Sequence, residues 1–325
     1  MIERRSFVRL TVAGIALGSS VARAQTGTTM RRVGVLSVGR RNPEDEGREL
    51  MIPLSELGWI EDRNLAVERR FANLQVDLLR PYAEELVRLK VDVILTFGTE
   101  AAFAAKNATT RIPIVLGGVG DPVGTGLVAS LSRPGGNITG YSILSSEIEA
   151  KRAALTHELL PAAQRIAVVV NTNNRISGSL RKQADETFRS LGVQPIFIEV
   201  TSKQQLLEAP AEAVRQRAQG LDMGLFSIAN PGLLMQSALG YRLPTVVGNR
   251  EMLEAGGLMF FDANLDDQAR RIAAIVDKIL HGAKPADIPI EQPMRFRLLI
   301  NLKTANALGI TVPQSLLLQA DEVIH

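Results

Sequence analysis

Apolar runs recur along this chain, each ending in a polar or glycine-rich break and followed by apolar positions three and four residues apart. Residues 32–38 (RVGVLSV), 91–97 (VDVILTF) and 112–116 (IPIVL) are near-continuous apolar stretches. That is the pattern of parallel strands covered on both faces. Residues 64–71 alternate through Leu65, Val67, Arg69 and Phe71, which predicts another strand. Between them, 46–57 and 75–89 carry helical spacing, the second at Leu78, Leu79, Tyr82, Leu86 and Leu89. Pro53 predicts a kink or two short pieces in the first. The Ala-rich 101–107 is a third helix, 125–131 a short fourth, and 138–141 a strand leaving this unit. Strands alternating with helices at this spacing make βαβ units.

The pattern restarts after Tyr141. Helices are expected at 146–160, 179–191, 204–218 and 266–280, and strands at 165–171, 194–200, 221–228, 243–247 and 257–261. Pro285, Pro289 and Pro293 make 285–293 an extended connector. A final strand is expected at 294–302, a helical turn at 304–308 and a closing helix at 313–323. The fold class is therefore α/β: two doubly wound, Rossmann-like lobes, repeating in architecture but not in sequence.

Composition changes this picture at the N-terminus. Arg4, Arg5 and Arg9 precede a mildly apolar 10–21, and Ala22-Arg23-Ala24 is a small-x-small cleavage site. Residues 1–24 read as a twin-arginine-like signal peptide, cut after Ala24, that sends the protein to the periplasm. With Arg4, Arg5, Arg9 and Arg23 taken from 37 basic residues and Glu3 from 34 acidic ones, 33 of each remain. A neutral chain gives no footprint for nucleic acid. There is no Cys, so disulfides, a Cys-ligated metal and a lipid anchor are excluded. His157, His281 and His325 share no ligand spacing, and neither a metal nor a cofactor is expected.

No nucleophile elbow, phosphate-binding Walker loop or HExxH helix is present. Gly118-Val119-Gly120-Asp121-Pro122-Val123-Gly124 misses the dinucleotide spacing by one residue. What remains is a set of polar strand-end loops, where open α/β sheets meet their ligands. Ser37, Arg41, Thr99, Glu100, Gly120 and Asp121 lie in those of the first half, and Asn171, Asn230, Asn249 and Asp262 in those of the second. Thr99, just before a helix, can hold a carboxylate with the helix amides or act as an N-cap. Asp121 can bind an ammonium or cap its own turn. Arg250 can pair with an anion or begin a solvated helix. Facing polar loops on two lobes favour binding by closure over catalysis.

GDPVGTGLVASLSRPGGNITG at 120–140 and LVRLKVDVILTFGTEAAFAAKNAT at 86–109 resemble the signature of ABC-transporter substrate-binding proteins of the tryptophan/tyrosine-type branch. LGWIEDRNLAVERRFA at 57–72, EAGGLMFF at 254–261 and INLKTANALGITVPQSLLLQADEVI at 300–324 resemble it too. The resemblance implies a type I periplasmic-binding-protein fold with three hinge crossings, near 141–143, 262–264 and 285–293. Lobe 1 would comprise 25–141 plus 264–285, and lobe 2 would comprise 142–263 plus 293–325. It also implies capture of an amino acid or small carboxylate-bearing solute by a monomer that is no enzyme, with an ABC permease of the inner membrane as partner. The chain departs from the family pattern in the short GLLMQSALGYR at 232–242, in Asn230 where Asp is usual, and in Gly248-Asn249 where an aromatic is usual. These departures bear on an aromatic amino acid as ligand and leave the implied fold as it is. The competing readings are an exported Rossmann-like enzyme using Asp121 or Asp262, and a periplasmic sensor subunit.

Overall fold

A computed structural model describes residues 30–39, 48–143, 145–224 and 231–325. The expected signal segment, Arg41 and Asn230 lie outside the described residues.

The first sheet is built from β1 (Arg31–Ser37), α1 (Arg48–Glu56), β2 (Leu65–Phe71), α2 (Leu79–Arg88), β3 (Val93–Phe97), α3 (Thr99–Ala108), β4 (Ile114–Gly120) and β5 (Ile138–Ile143). Its strands are all parallel, in the order β2-β1-β3-β4-β5. The run Val93-Ile94-Leu95-Thr96 is buried throughout because helices cover both faces of the sheet.

The chain then builds α4 (Ser145–Leu159), β6 (Arg165–Asn171), α5 (Ser177–Ser190), β7 (Gln194–Val200), α6 (Lys203–Arg215), β8 (Gly220–Asp222), α7 (Pro231–Gly240), β9 (Thr245–Val247), α8 (Arg250–Glu254) and β10 (Met259–Ala263). Next comes α9 (Leu265–Leu280), which returns to the first sheet. Its buried stripe of Ala269, Ile272, Ala273, Ile275, Val276 and Ile279 has helical spacing, and most of it joins Val33, Leu54, Val93, Leu95 and Val115 in one core. After a connector, β11 (Phe296–Asn301), α10 (Leu302–Leu308), α11 (Gln314–Gln319) and β12 (Glu322–Ile324) go back to the second sheet. That sheet runs β12-β11-β10-β9-β8-β6-β7, and only its β10–β11 pair is antiparallel. The chain therefore passes between the sheets three times: after β5, after β10, and between α9 and β11.

These passages lie side by side. Glu291 exchanges backbone hydrogen bonds with Gly140 and Ser142, at 2.9 and 2.8 Å, and the Thr139 hydroxyl donates to the Ile288 carbonyl at 2.7 Å. Gly140 has φ +135°, and a Cβ there would stand 2.2 Å from the Leu116 nitrogen. Only glycine fits this close approach.

Three local expectations differ from the structure. Residues 125–131 form successive turns and no helix. Gly126 has φ +75°, and Lys106 Nζ donates to the carbonyls of Gly126 and Leu127, both at 2.9 Å, which a helix would have used internally. Helix α1 contains Pro53 and runs as one segment, so the two-piece form of that expectation does not hold. The expected closing helix at 313–323 stops at Gln319, and Val323 and Ile324 pair with Ile300 and Asn301 instead. A free edge on β11 and β-branched side chains prevail there over helical spacing.

Candidate functional site

A cavity of about 490 Å³ opens between the carboxyl ends of the two sheets, a volume suited to a small solute. From the first sheet it receives Val38 and Gly39 after β1, Asn73 and Leu74 after β2, Gly98 to Glu100 after β3, and Gly118 and Gly120 on β4. A register shift between Gly117 and Val119 makes a bulge in β4. Bulges of this kind re-aim a strand end beside a site. From the second sheet come Val168 to Asn171 with Asn173 and Asn174, Ser177 and Arg181 on α5, Thr201 to Lys203 before and at the start of α6, Gly224, and Glu149 and Arg152 on α4.

The sequence-predicted residues fall in three groups. Thr99, Glu100, Gly120 and Asn171 line the cavity. Ser37, Asp121, Asn249 and Asp262 are off its lining, and each has a local occupation. Ser37 Oγ accepts from the Gly39 amide at 3.0 Å. Asp121, at φ +39°, caps its turn by accepting from the Gly124 amide at 2.8 Å. Asn249 is the N-cap of α8, and Asp262 Oδ1 accepts from the Ala263 amide at 2.6 Å. Arg41 and Asn230 make up the third group, beyond the described residues.

At α3 the N-cap is Gly98, with φ +94°, and it makes no side-chain cap. Thr99 is the first helical residue and lines the cavity, which sets the first turn of α3 at the cavity wall. Unsatisfied amides and the helix dipole together favour an anionic group there. Glu100 beside it reaches across the cleft. Its Oε2 accepts from Arg175 Nε at 3.0 Å and its Oε1 from the Arg175 amide at 3.2 Å, while the Arg175 guanidinium lies 4.5 Å over the Phe103 ring. Arg175 follows β6 of one sheet, whereas Glu100 and Phe103 belong to α3 on the other.

The inner wall carries a charge cluster of which strand-end reasoning named only Asp262. Arg152 donates through Nε to Asp222 Oδ1 at 3.0 Å and through Nη2 to Glu149 Oε2. Glu149, Arg152 and Asp222 are 5%, 2% and 0% exposed, and Asp262 is 4% exposed. Burial pushes the Glu149 carboxyl up to about 7, against the pull of Arg152. It also pushes Asp262 up to about 6 and raises Asp222. Burial disfavours the Arg152 charge, but the carboxylates more than offset this and raise its pKa. The sequence signal was an Asp inside the apolar run LDMGLF together with a Glu-x-x-Arg pair on one helix face.

Two α/β lobes that meet over a solute-sized cavity at their strand ends define the two-lobed periplasmic-binding-protein class. Within it, the chain belongs to the ABC transporter substrate binding protein family, which matches residues 50–324. A tyrosine-binding protein of Clostridioides difficile (strain R20291) is 23% identical, over 95% of this chain and 94% of its own. A conserved domain protein from Vibrio cholerae superimposes with a TM-score of 0.84 at 24% identity, over 91% of this chain and 100% of that one. An ABC domain in complex with L-Trp from Streptococcus pneumoniae gives 0.83 at 23% identity, with the same coverage. No described helix is long and apolar enough to cross a membrane.

Proposed function

We propose that this protein is the extracytoplasmic receptor of an ABC importer. It captures an amino acid or small carboxylate-bearing solute between its lobes and delivers it to a permease of the inner membrane. The observation that carries this is the cavity itself, with the α3 N-terminus offering Thr99 and free amides on one side and Asn171, Ser177 and Arg181 on the other. The tyrosine-binding relative and the L-Trp complex support an amino-acid class of ligand. The twin-arginine-like segment at 1–24 supports export to the periplasm.

Thermal unfolding against a panel of amino acids, aromatic acids, small carboxylates, sugars and nucleosides tests this. A ligand at a hundred times its dissociation constant adds about 2.7 kcal/mol to the folded state. A clear upward shift with one chemical class supports capture. No shift with any compound, after unfolding and refolding to strip carried-over ligand, contradicts it.

One observation favours a second reading, an exported enzyme: Glu149 lines the cavity with a carboxyl pushed up to about 7, where a general base works. Its bond to Arg152 ties it down, which favours binding over proton shuttling. Incubating the bound compound with protein and following it by NMR separates the two, since turnover alters the compound and capture returns it unchanged.

A further inference from the structure

The end of β4 that walls the cavity is made of residues poorly able to hold a shape. Gly117 and Gly118 follow one another at the bulge, and glycine has more backbone freedom than any other residue. Neither has room for a side chain. A Cβ on Gly117 would stand 2.6 Å from Phe97 Cε1, and one on Gly118, at φ +126°, would stand 2.6 Å from Gln268 Nε2. The side chain that crowds Gly118 also fixes it. Gln268 Nε2 donates to the Gly117 carbonyl at 2.9 Å, across 151 positions of the chain. The peptide between the two glycines is trans, so anchoring its carbonyl on α9 sets the direction of the Gly118 N–H as well. Gly118 lines the cavity, and Gln268 stands behind it, off the lining.

Gln268 sits where the chain has just crossed between the sheets. Asn264 caps α9, and its amide donates to the Arg295 carbonyl at 3.0 Å. The Gln268 amide donates in turn to the Asn264 carbonyl at 3.1 Å. On the next turn, Arg271 donates to Asp267 and to Glu291, both at 2.9 Å. Glu291 is the residue whose backbone pairs with Gly140 and Ser142. The first two turns of α9 thus hold all three passages and the β4 bulge together.

We infer that Gln268 is a positioning residue for solute capture: through the Gly117 carbonyl it holds the Gly117-Gly118 bulge in the conformation that walls the cavity, and it ties that wall to the hinge. This rests on the solute-capture reading and adds to it a determinant outside the cavity lining. Without the Gln268 amide the glycine pair samples other conformations, and an arriving solute meets a finished wall only part of the time. The competent fraction of the cleft multiplies the association rate. Release starts from a wall already formed, so its rate stays as it was.

Gln268→Met keeps the length of the side chain and removes the donor. Hydrogen–deuterium exchange on the whole unliganded protein should show 117–120 exchanging about fivefold faster in the variant, with β1 and β6 unchanged. Stopped-flow mixing then uses L-tyrosine or, should it not bind, the compound of the thermal panel with the largest shift. Association should slow about fivefold, and dissociation should stay within about twofold of the parent. Should Gln268→Met fail to fold, Gln268→Asn, whose amide stops one methylene short, takes its place with the same expectation. A residue that merely props the fold would lower the unfolding midpoint and leave both rates alone. Unchanged exchange at 117–120, or an unchanged association rate, overturns the role of Gln268 and leaves solute capture standing. An effect confined to dissociation makes Gln268 a contact of the bound solute and overturns the positioning role too. Binding by no compound of the panel overturns solute capture and this inference with it, whatever the exchange shows.

Discussion

Glu149 and Gly140 show how single residues set the limits of this fold. The Glu149 carboxyl, normally near 4.5, sits near 7 in the folded chain because burial disfavours its charge. The native state therefore holds more protons than the unfolded state between those values. The penalty is absent below the unfolded pKa and complete above the folded one, so stability falls as pH rises from about 4.5 to 7. Urea unfolding at half-unit pH steps should show this decline, and Glu149→Gln should reduce it to the share that Asp262, pushed up to about 6, still contributes; an unchanged slope in the variant would place the titration elsewhere. Gly140 is under a steric limit. Gly140→Ala forces a Cβ against the Leu116 backbone at positive φ and should cost at least ~3 kcal/mol in the same assay. Neither effect was legible in the sequence. Glu149 sat in the first turns of an expected helix, and its meaning depends on Asp222 and Asp262, which only folding brings to it.

At the scale of elements, the apolar runs were the readable part. VGVLSV, VDVILTF and RIAVVVN became β1, β3 and β6 because buried parallel strands have no solvent face to encode. The strand-end loops that meet the cavity at Thr99, Glu100, Gly120 and Asn171 followed from the same alternation. Where the reading failed, long-range pairing decided: β12 forms because β11 offers an edge, and nothing within 313–323 announces that edge. The α3–β6 contact is likewise non-local. Glu100, Phe103 and Arg175 join one lobe to the other through an ion pair and a cation–π contact, with Arg175 55% exposed. Exposure limits such a pair to about 1 kcal/mol. Arg175→Ala should therefore speed ligand release by roughly fivefold in stopped-flow measurements and leave the unfolding midpoint nearly unmoved. A release rate equal to that of the parent would show that the contact does not latch the cleft.

At the scale of the whole molecule, the two sheets are distinct in core and order, yet the first is not a continuous piece of chain. Val33, Leu54, Val93, Leu95 and Val115 are covered by α9, which is made after β6 through β10. A nascent chain on the ribosome thus presents one greasy sheet face while residues 144–264 are made, for on the order of ten seconds at ordinary elongation rates. Residues 30–143 expressed alone should collect in inclusion bodies, and co-expression of 265–292 should return part of them to the supernatant. Full solubility of the fragment without that helix would count against α9 as the missing cover. A chain stopped between residues 143 and 265 lacks that cover and should aggregate, so a chaperone is expected to shield the face until α9 has left the ribosome.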